Sequence, residues 1–278
     1  MQIHKNIAIK GKHVKPIYTD IYFNETQTAK PVALFCHGYK GFKDWGFWEI
    51  VAETFVAKGY VFVKFNLSHN GIDIEKPTDF TDLDGFGNNN FSIELDDIDE
   101  VLNWIYSAEN SFSAELNTSS ITLIGHSRGG GISIIKAAED TRITKLITWA
   151  SVSDFKARFA DEKARAYWKQ QGVIYIENSR TKQQLPHFYQ FYEDFIANET
   201  RFTIKNSAEK INIPWLIIHG TNDPTVILEE AQALHQWNPE SNLLVIEEAD
   251  HVFGGQHPWE EKKLPQHMQQ VVEASISF

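Results

Sequence analysis

Short unbroken runs of apolar residues recur along the chain, and segments with helical patterning separate them. An unbroken apolar run is typical of a strand buried on both faces, as in a parallel sheet covered by helices. The pattern predicts strands at residues 31–36, 60–65, 121–124, 143–150, 213–218 and 243–247, and helices at residues 48–58, 92–109, 132–138 and 259–274. This alternation predicts an α/β fold, with a mostly parallel central sheet and helices on both faces.

Three segments depart from this alternation. Residues 5–10 and 14–24 are predicted to form an antiparallel pair of strands at the beginning of the chain, and residues 66–90 are predicted to form a long loop. Residues 151–212 are too long for a simple crossover between two strands. We therefore predict a core domain from residues 1–150 and 213–278, with residues 151–212 as a helical cap insertion.

The most specific chemical signal is the motif Gly125-His126-Ser127-Arg128-Gly129, which follows one predicted strand and precedes a predicted helix. Strand, sharp turn and helix are the context of a nucleophile elbow, which holds a strained serine at the edge of a sheet. A dinucleotide-binding turn has the pattern Gly-x-Gly-x-x-Gly, and Ser127 stands where its second glycine would be. The motif therefore predicts Ser127 as a nucleophile.

In this architecture an acid and then a histidine follow the serine along the chain. Asp223 comes after the predicted strand at 213–218, at a carboxyl end where catalytic groups collect in α/β sheets. His251 lies between the last predicted strand and the C-terminal helix, which is the position for a general base. The alternative bases are His257 and His267. Asp250 is the alternative acid. It directly precedes His251, and adjacent side chains seldom face each other, so we expect a structural role for Asp250.

The predicted strand at 31–36 ends in a His37-Gly38-Tyr39 turn. A nucleophile elbow obtains one oxyanion-hole donor from the loop after an early strand and one from the residue after the nucleophile. These donors are the backbone N–H groups of Tyr39 and Arg128. Such groups stabilise the negative charge that develops on the carbonyl oxygen in the transition state.

With these motifs in this order, the sequence resembles the α/β-hydrolase superfamily over nearly its whole length. It is most similar to the branch that contains feruloyl (cinnamoyl) esterases, dienelactone-hydrolase-like proteins and the catalytic domains of prolyl-oligopeptidase-type enzymes. The resemblance implies a triad of Ser127, Asp223 and His251, with the amides of Tyr39 and Arg128 as the oxyanion hole. A dienelactone hydrolase proper would have a cysteine in place of Ser127.

We therefore expect a carboxylesterase-type serine hydrolase that cleaves carboxylic esters through an acyl-enzyme intermediate. A serine peptidase, an aminopeptidase or an acyltransferase would use the same triad, so these alternatives remain open. A non-catalytic binding protein with a hydrolase fold usually lacks a triad residue, and all three residue types are present here.

Composition narrows the class of partner. The chain has 26 Lys and Arg against 37 Asp and Glu, a net charge of −11, which disfavours nucleic acid and anionic membranes. No run approaches the roughly 20 apolar residues of a membrane helix and no signal core is visible, so we expect a cytoplasmic protein. We expect no metal and no other cofactor, because His-Glu-x-x-His and Cys-x-x-Cys are both missing. The expected partner is a small-molecule ester, and the oligomeric state is left open.

The predicted cap is rich in aromatic residues. Ligand pockets are mostly apolar with a few polar groups, so we expect a minority of these rings to line an acyl pocket above Ser127. The others would pack the cap onto the core. Tyr189, Phe191 and Tyr192 form a dense cluster beside Pro186, and we predict that they line the pocket.

Overall fold

The structure is a computed structural model that describes residues 1–26 and 28–278. Its strands are β1 (Gln2–Ile9), β2 (Ile17–Phe23), β3 (Lys30–Cys36), β4 (Val61–Phe65), β5 (Ile72–Asp73), β6 (Lys76–Phe80), β7 (Leu116–His126), β8 (Lys145–Trp149), β9 (Val173–Glu177), β10 (Gln184–Phe188), β11 (Trp215–Gly220) and β12 (Asn242–Ile246). Its helices are α1 (Trp48–Ala57), α2 (Leu83–Asn88), α3 (Phe91–Tyr106), α4 (Arg128–Glu139), α5 (Glu162–Gln171), α6 (Gln190–Ala197), α7 (Glu199–Phe202), α8 (Ile204–Ala208), α9 (Leu228–Trp237) and α10 (Gln266–Ser277).

Eight strands form one twisted sheet in the order β1-β2-β4-β3-β7-β8-β11-β12. β1 pairs antiparallel with β2, and β2 pairs antiparallel with β4. All the later pairs, from β4-β3 to β11-β12, are parallel. The predicted α/β fold with a mostly parallel sheet is therefore confirmed, including the antiparallel strands at its beginning.

The unbroken apolar runs fill two cores, one on each face of the sheet. In β3, Val32 and Leu34 point into one core, whereas Ala33 and Phe35 point into the other. Side chains alternate between faces along a strand, so a strand covered on both sides needs apolar residues at every position. α3 and α4 cover the first face, and α1 and α10 cover the second.

Residues 151–212, which we call the cap segment, contain α5, α6, α7 and α8, as well as a hairpin in which β9 pairs antiparallel with β10. The helices agree with the prediction, but the hairpin was not predicted. Residues 66–90 likewise contain the β5-β6 hairpin and α2 rather than loop alone.

The C-terminal helix was predicted from residue 259 but begins at Gln266, directly after Pro265. A proline disfavours helical geometry in the residue before it, so Leu264 lies outside the helix.

Candidate active site

Ser127 lies at the junction of β7 and α4, with φ 57° and ψ −123°. A non-glycine residue rarely adopts such a conformation, and strain of this kind is concentrated at functional sites. The first turn of α4 lies so close to the end of β3 that position 129 has no room for a side chain. A Cβ atom added to Gly129 would lie 2.3 Å from the carbonyl oxygen of His37. Local sequence therefore forces the elbow and presents the Ser127 hydroxyl at the sheet edge.

The structure brings Ser127, His251 and Asp223 into one hydrogen-bonded chain. His251 Nε2 lies 3.0 Å from Ser127 Oγ, and His251 Nδ1 lies 2.7 Å from Asp223 Oδ2. Because Asp223 can only accept, Nδ1 carries the proton and Nε2 is free to accept from the serine hydroxyl. The three side chains come from the β7–α4 turn, the loop after β11 and the loop after β12.

Asp223 is held in its ionised form. Burial favours the neutral acid, but hydrogen bonds from His251 and from the backbone N–H groups of Val226 and Thr225 outweigh it and lower the pKa of Asp223. These two amides lie 2.9 Å and 2.8 Å from Asp223 Oδ1. A fixed carboxylate of this kind orients an imidazole and stabilises its charged form.

The alternative acid and bases lie elsewhere. Asp250 Oδ1 accepts hydrogen bonds from the N–H groups of Val252 and Gly254, at 3.1 Å and 2.8 Å, and so caps its own turn. His257 Nδ1 accepts a hydrogen bond from the N–H of Gly46 at 2.8 Å. His267 lies in the first turn of α10. None of these contacts connects to Ser127.

The loop after β3 lies against the elbow. A Cβ atom added to Gly38 would lie 2.8 Å from Cβ and 3.3 Å from Oγ of Ser127, so only glycine allows this approach. Tyr39 is the next residue and reaches the cavities on both sides of Ser127. Arg128 is the first residue of α4, where backbone N–H groups have no partner within the helix. This arrangement is compatible with the predicted oxyanion hole.

His37 fixes the conformation of that loop. Its Nδ1–H donates to the carbonyl oxygen of Gly38 at 2.9 Å, and its Nε2 accepts from the N–H of Leu67 at 3.2 Å. Burial lowers the pKa of His37 to about 4, so the ring is neutral near pH 7 and can perform both functions.

His126, inside the same motif, makes a contact that the sequence did not predict. Its Nε2 lies 2.9 Å from the carbonyl oxygen of His251 and donates to it, and the two rings are 5.0 Å apart. Burial, with a smaller contribution from His251, lowers the pKa of His126 to about 3. The neutral ring therefore holds the backbone of His251 in place.

Two cavities meet at Ser127. The cap cavity, about 470 Å³, lies under the cap segment and has a mostly aromatic and aliphatic wall that includes Phe91, Phe155, Phe159, Trp168, Ile174 and Phe191. The loop cavity, about 320 Å³, lies on the other side and is lined by His126, His251, Lys40, Trp45, Arg180 and His257, among others.

Only one of the three predicted pocket residues lines either cavity, among the residues that the structure describes. Phe191 is part of the wall of the cap cavity. The Tyr189 ring lies 5.5 Å from Trp168 and the Tyr192 ring lies 5.0 Å from Phe159, so both tyrosines pack against wall residues instead. Of the three predicted pocket residues, the structure thus places Phe191 in the wall of the cap cavity and the two tyrosines behind that wall.

Over residues 1–26 and 28–278, no helix is long and apolar enough to span a membrane. Over the same residues, no group of three or more His, Cys, Asp or Glu side chains could hold a metal ion.

The BD-FAE family model matches residues 19–238 of the sequence. The chain belongs to the BD-FAE family. No curated protein gives a significant match. Family and fold together confirm the predicted class of protein, an esterase-type α/β hydrolase.

Solved structures share the fold at low identity. Est1E from Butyrivibrio proteoclasticus with ferulic acid bound is 18% identical, with a TM-score of 0.70 over 98% of this chain and 97% of that one. DcsB in complex with its substrate analogue is 16% identical, with a TM-score of 0.74 over 99% and 97%. A dienelactone hydrolase from Anabaena variabilis is 14% identical, with a TM-score of 0.63 over 100% and 97%.

Proposed function

We propose that this protein is a serine carboxylesterase that works through an acyl-enzyme intermediate. The observation that carries the proposal is the hydrogen-bonded chain from Ser127 Oγ through His251 to Asp223, at 3.0 Å and 2.7 Å. A nucleophile, a base within hydrogen-bond reach and a third group that orients the base are the requirements for serine catalysis.

In the first half-reaction Ser127 Oγ attacks the ester carbonyl while His251 Nε2 removes its proton. Asp223 holds the tautomer of His251 and stabilises the imidazolium that forms. The backbone N–H groups of Tyr39 and Arg128 bind the developing oxyanion, and one such donor contributes about 3 kcal/mol. His251 then protonates the leaving alcohol. In the second half-reaction water takes the place of the alcohol and releases the acid.

The two cavities indicate how an ester substrate is oriented at Ser127. His251 must reach the oxygen of the leaving alcohol, and His251 lines the loop cavity but not the cap cavity. We therefore assign the alcohol to the loop cavity and the acyl group to the cap cavity, with residues 151–212 serving as the cap.

An aromatic or medium-length acyl group suits the cap cavity, which has about 470 Å³ of space and a mostly apolar wall. The likeness to Est1E, a protein solved with ferulic acid bound, supports an aromatic acid as the first acyl group to test.

The test is Ser127→Ala, assayed with p-nitrophenyl esters and with a fluorophosphonate probe. Loss of the nucleophile should lower kcat by about a million-fold and abolish labelling. Ser119→Ala removes an exposed hydroxyl from the same strand, β7, and should remain active and labelled. Full activity or labelling in Ser127→Ala would overturn the proposal. Faster cleavage of amino-acyl anilides than of esters would instead favour a peptidase with the same triad.

A further inference from the structure

We propose that the loop cavity is a subsite for an anionic group on the leaving alcohol, and that Lys40 and Arg180 bind this group. The inference rests on the proposed esterase function and extends it to a class of substrate. That class consists of esters whose alcohol part carries a carboxylate or a phosphate, with an apolar acyl group on the other side of Ser127.

The first supporting observation is the charge of the cavity wall. Its described lining residues include the cations Lys40 and Arg180 but no aspartate or glutamate. The whole chain carries 37 acidic against 26 basic residues and a net charge of −11. This local excess of cations contrasts with the charge of the whole chain. The cap cavity is also lined by two arginines, but each of them pairs with a glutamate outside that cavity.

The second observation concerns Lys40. It directly follows the predicted oxyanion residue Tyr39, and its Nζ lies 5.3 Å from the centre of the Tyr39 ring. Its φ of 56° lies in the left-handed region, which disfavours residues with a side chain, yet the position is occupied by a lysine. Within residues 1–26 and 28–278, no carboxylate lies within 4 Å of Lys40 Nζ to form an ion pair. The ammonium group is therefore available to a ligand.

The third observation concerns Arg180, at the tip of the β9-β10 hairpin. Its guanidinium donates to the carbonyl oxygen of Thr78, which ties the hairpin to β6 and fixes the position of the charge. Asp79 Oδ1 lies 3.9 Å from this guanidinium, but Asp79 is half exposed and does not line the cavity. A guanidinium has five N–H donors, so others remain for a substrate anion.

His257 adds a neutral donor to the same wall. Its Nδ1 accepts from the N–H of Gly46 at 2.8 Å, so the neutral ring carries its proton on Nε2. Arg, Lys and an imidazole N–H are the usual partners of carboxylates and phosphates. The cavity thus combines two cations and one neutral donor on the side where His251 releases the alcohol.

The experiment compares three esters of one acyl group, cinnamic acid, whose leaving phenols differ only in the para substituent. The phenols are 4-hydroxybenzamide, 4-hydroxybenzoate and 4-hydroxyphenyl phosphate. For each enzyme variant, kcat/KM for an anionic ester is divided by kcat/KM for the neutral amide. Intrinsic leaving-group reactivity is the same for all variants, so a change in this ratio reports the contact with the anion.

Lys40→Gln and Arg180→Gln should each lower the ratio about tenfold or more, because each removes a charge-assisted contact. The matched control is Lys182→Gln, which removes a positive charge from the same hairpin tip. Lys182 pairs with Glu177 and does not line the cavity, so its ratio should equal that of the unmodified protein. Comparison of the carboxylate and phosphate esters identifies which anion the subsite prefers.

An unchanged ratio in both Lys40→Gln and Arg180→Gln would overturn the subsite, as would an equal fall in Lys182→Gln. If Ser127→Ala abolishes hydrolysis of the neutral ester while these ratios stay constant, the esterase proposal stands and only the subsite fails. If Ser127→Ala hydrolyses all three esters normally, the esterase proposal itself fails.

Discussion

Each histidine around Ser127 has one tautomer imposed by its neighbours. Asp223 accepts from Nδ1 of His251, the carbonyl oxygen of Gly38 accepts from Nδ1 of His37, and the carbonyl oxygen of His251 accepts from Nε2 of His126. Burial lowers the pKa values of His37 and His126 to about 4 and about 3, so both stay neutral over the ordinary pH range of an assay. The two rings that position the loops therefore keep their hydrogen bonds over that pH range.

At the residue scale, Asp223→Asn tests the choice of acid. An amide at this position can donate to Nδ1 and stabilise the wrong tautomer of His251, so kcat should fall about ten-thousand-fold. Asp250→Asn is the matched control, because among the described residues the hydrogen bonds to the Asp250 side chain come from the amides of its own turn. Steady-state kinetics of both variants on one p-nitrophenyl ester gives the comparison. A larger loss in Asp250→Asn would move the acid to that residue.

The sequence was sufficient to select three residues that the structure joins in one hydrogen-bonded chain, because motif, chain order and position after a strand all indicate Ser127, Asp223 and His251. It could not predict the contacts of His126, Lys40 and Arg180. The partners of His126 and Arg180, and the other walls of the cavity that Lys40 lines, come from distant parts of the chain. Neither helical nor strand periodicity carries that information. In the sequence alone, Lys40 cannot be distinguished from an ordinary solvent-exposed lysine.

At the element scale, α6 separates residues that were predicted to act together. Phe191 lines the cap cavity, while the Tyr192 ring packs against Phe159 and beneath the Arg165 guanidinium, 5.3 Å away. Closeness in the sequence does not indicate which of these rings face the cavity, because the rest of the cavity wall comes from several other elements.

Phe191→Leu should therefore change the preference between acyl groups. One methylene group in such a pocket corresponds to about 1–3 kcal/mol, so the ratio of kcat/KM for cinnamoyl and acetyl esters should shift about ten- to two-hundred-fold. Tyr192→Leu makes an equivalent change next to it and should leave the ratio unaltered. Equal shifts in the two variants would mean that the acyl pocket is not the cap cavity.

The hairpin in the cap segment shows where the hydrophobic pattern is insufficient. β9 is largely exposed, and its partner β10 contains Pro186. Such a strand lacks both the unbroken run and the clean alternation of the sheet strands. The core strands were predicted because two covered faces demand apolar residues throughout, and no comparable demand acts on this hairpin.

At the scale of the whole molecule, buried charges connect elements that the pattern treats separately. Lys64 interrupts the apolar run of β4 and lies 3.0 Å from Asp20 on β2 and 2.8 Å from Asp44. Lys43, in the loop after Tyr39, lies 3.0 Å from Asp20 and 2.6 Å from Asp44. These four contacts connect the loop after β3 to β2 and β4. Removal of one partner would leave an uncompensated buried charge, which is strongly destabilising.

Asp97, on α3, is a buried acid of a different kind, because no cation pairs with it within the part of the chain that the structure describes. Burial raises the pKa of Asp97 to about 8, although the N–H of Ser68 donates to its Oδ2 at 2.6 Å. An aspartate in the unfolded chain titrates near about 3.9. Between these two pH values the folded state binds one more proton than the unfolded state, so stability falls as pH rises.

Asp97→Asn should remove that loss, because its side chain is neutral at every pH and its oxygen can still accept from Ser68. The melting temperature of the variant relative to the unmodified protein should rise from pH 5 to pH 8 and then level off. The underlying change is about 1.4 kcal/mol per pH unit for one proton.

Asp96→Asn is the control with the opposite sign. Burial opposes ionisation of Asp96, but hydrogen bonds from His13 and Lys12 lower its pKa, so that carboxylate stabilises the fold above its unfolded pKa. Asp96→Asn should therefore be destabilised at pH 7, with the difference shrinking only in acid. If instead the melting temperatures of Asp97→Asn and of the unmodified protein differ by a constant amount from pH 5 to pH 8, Asp97 is already ionised in the folded protein.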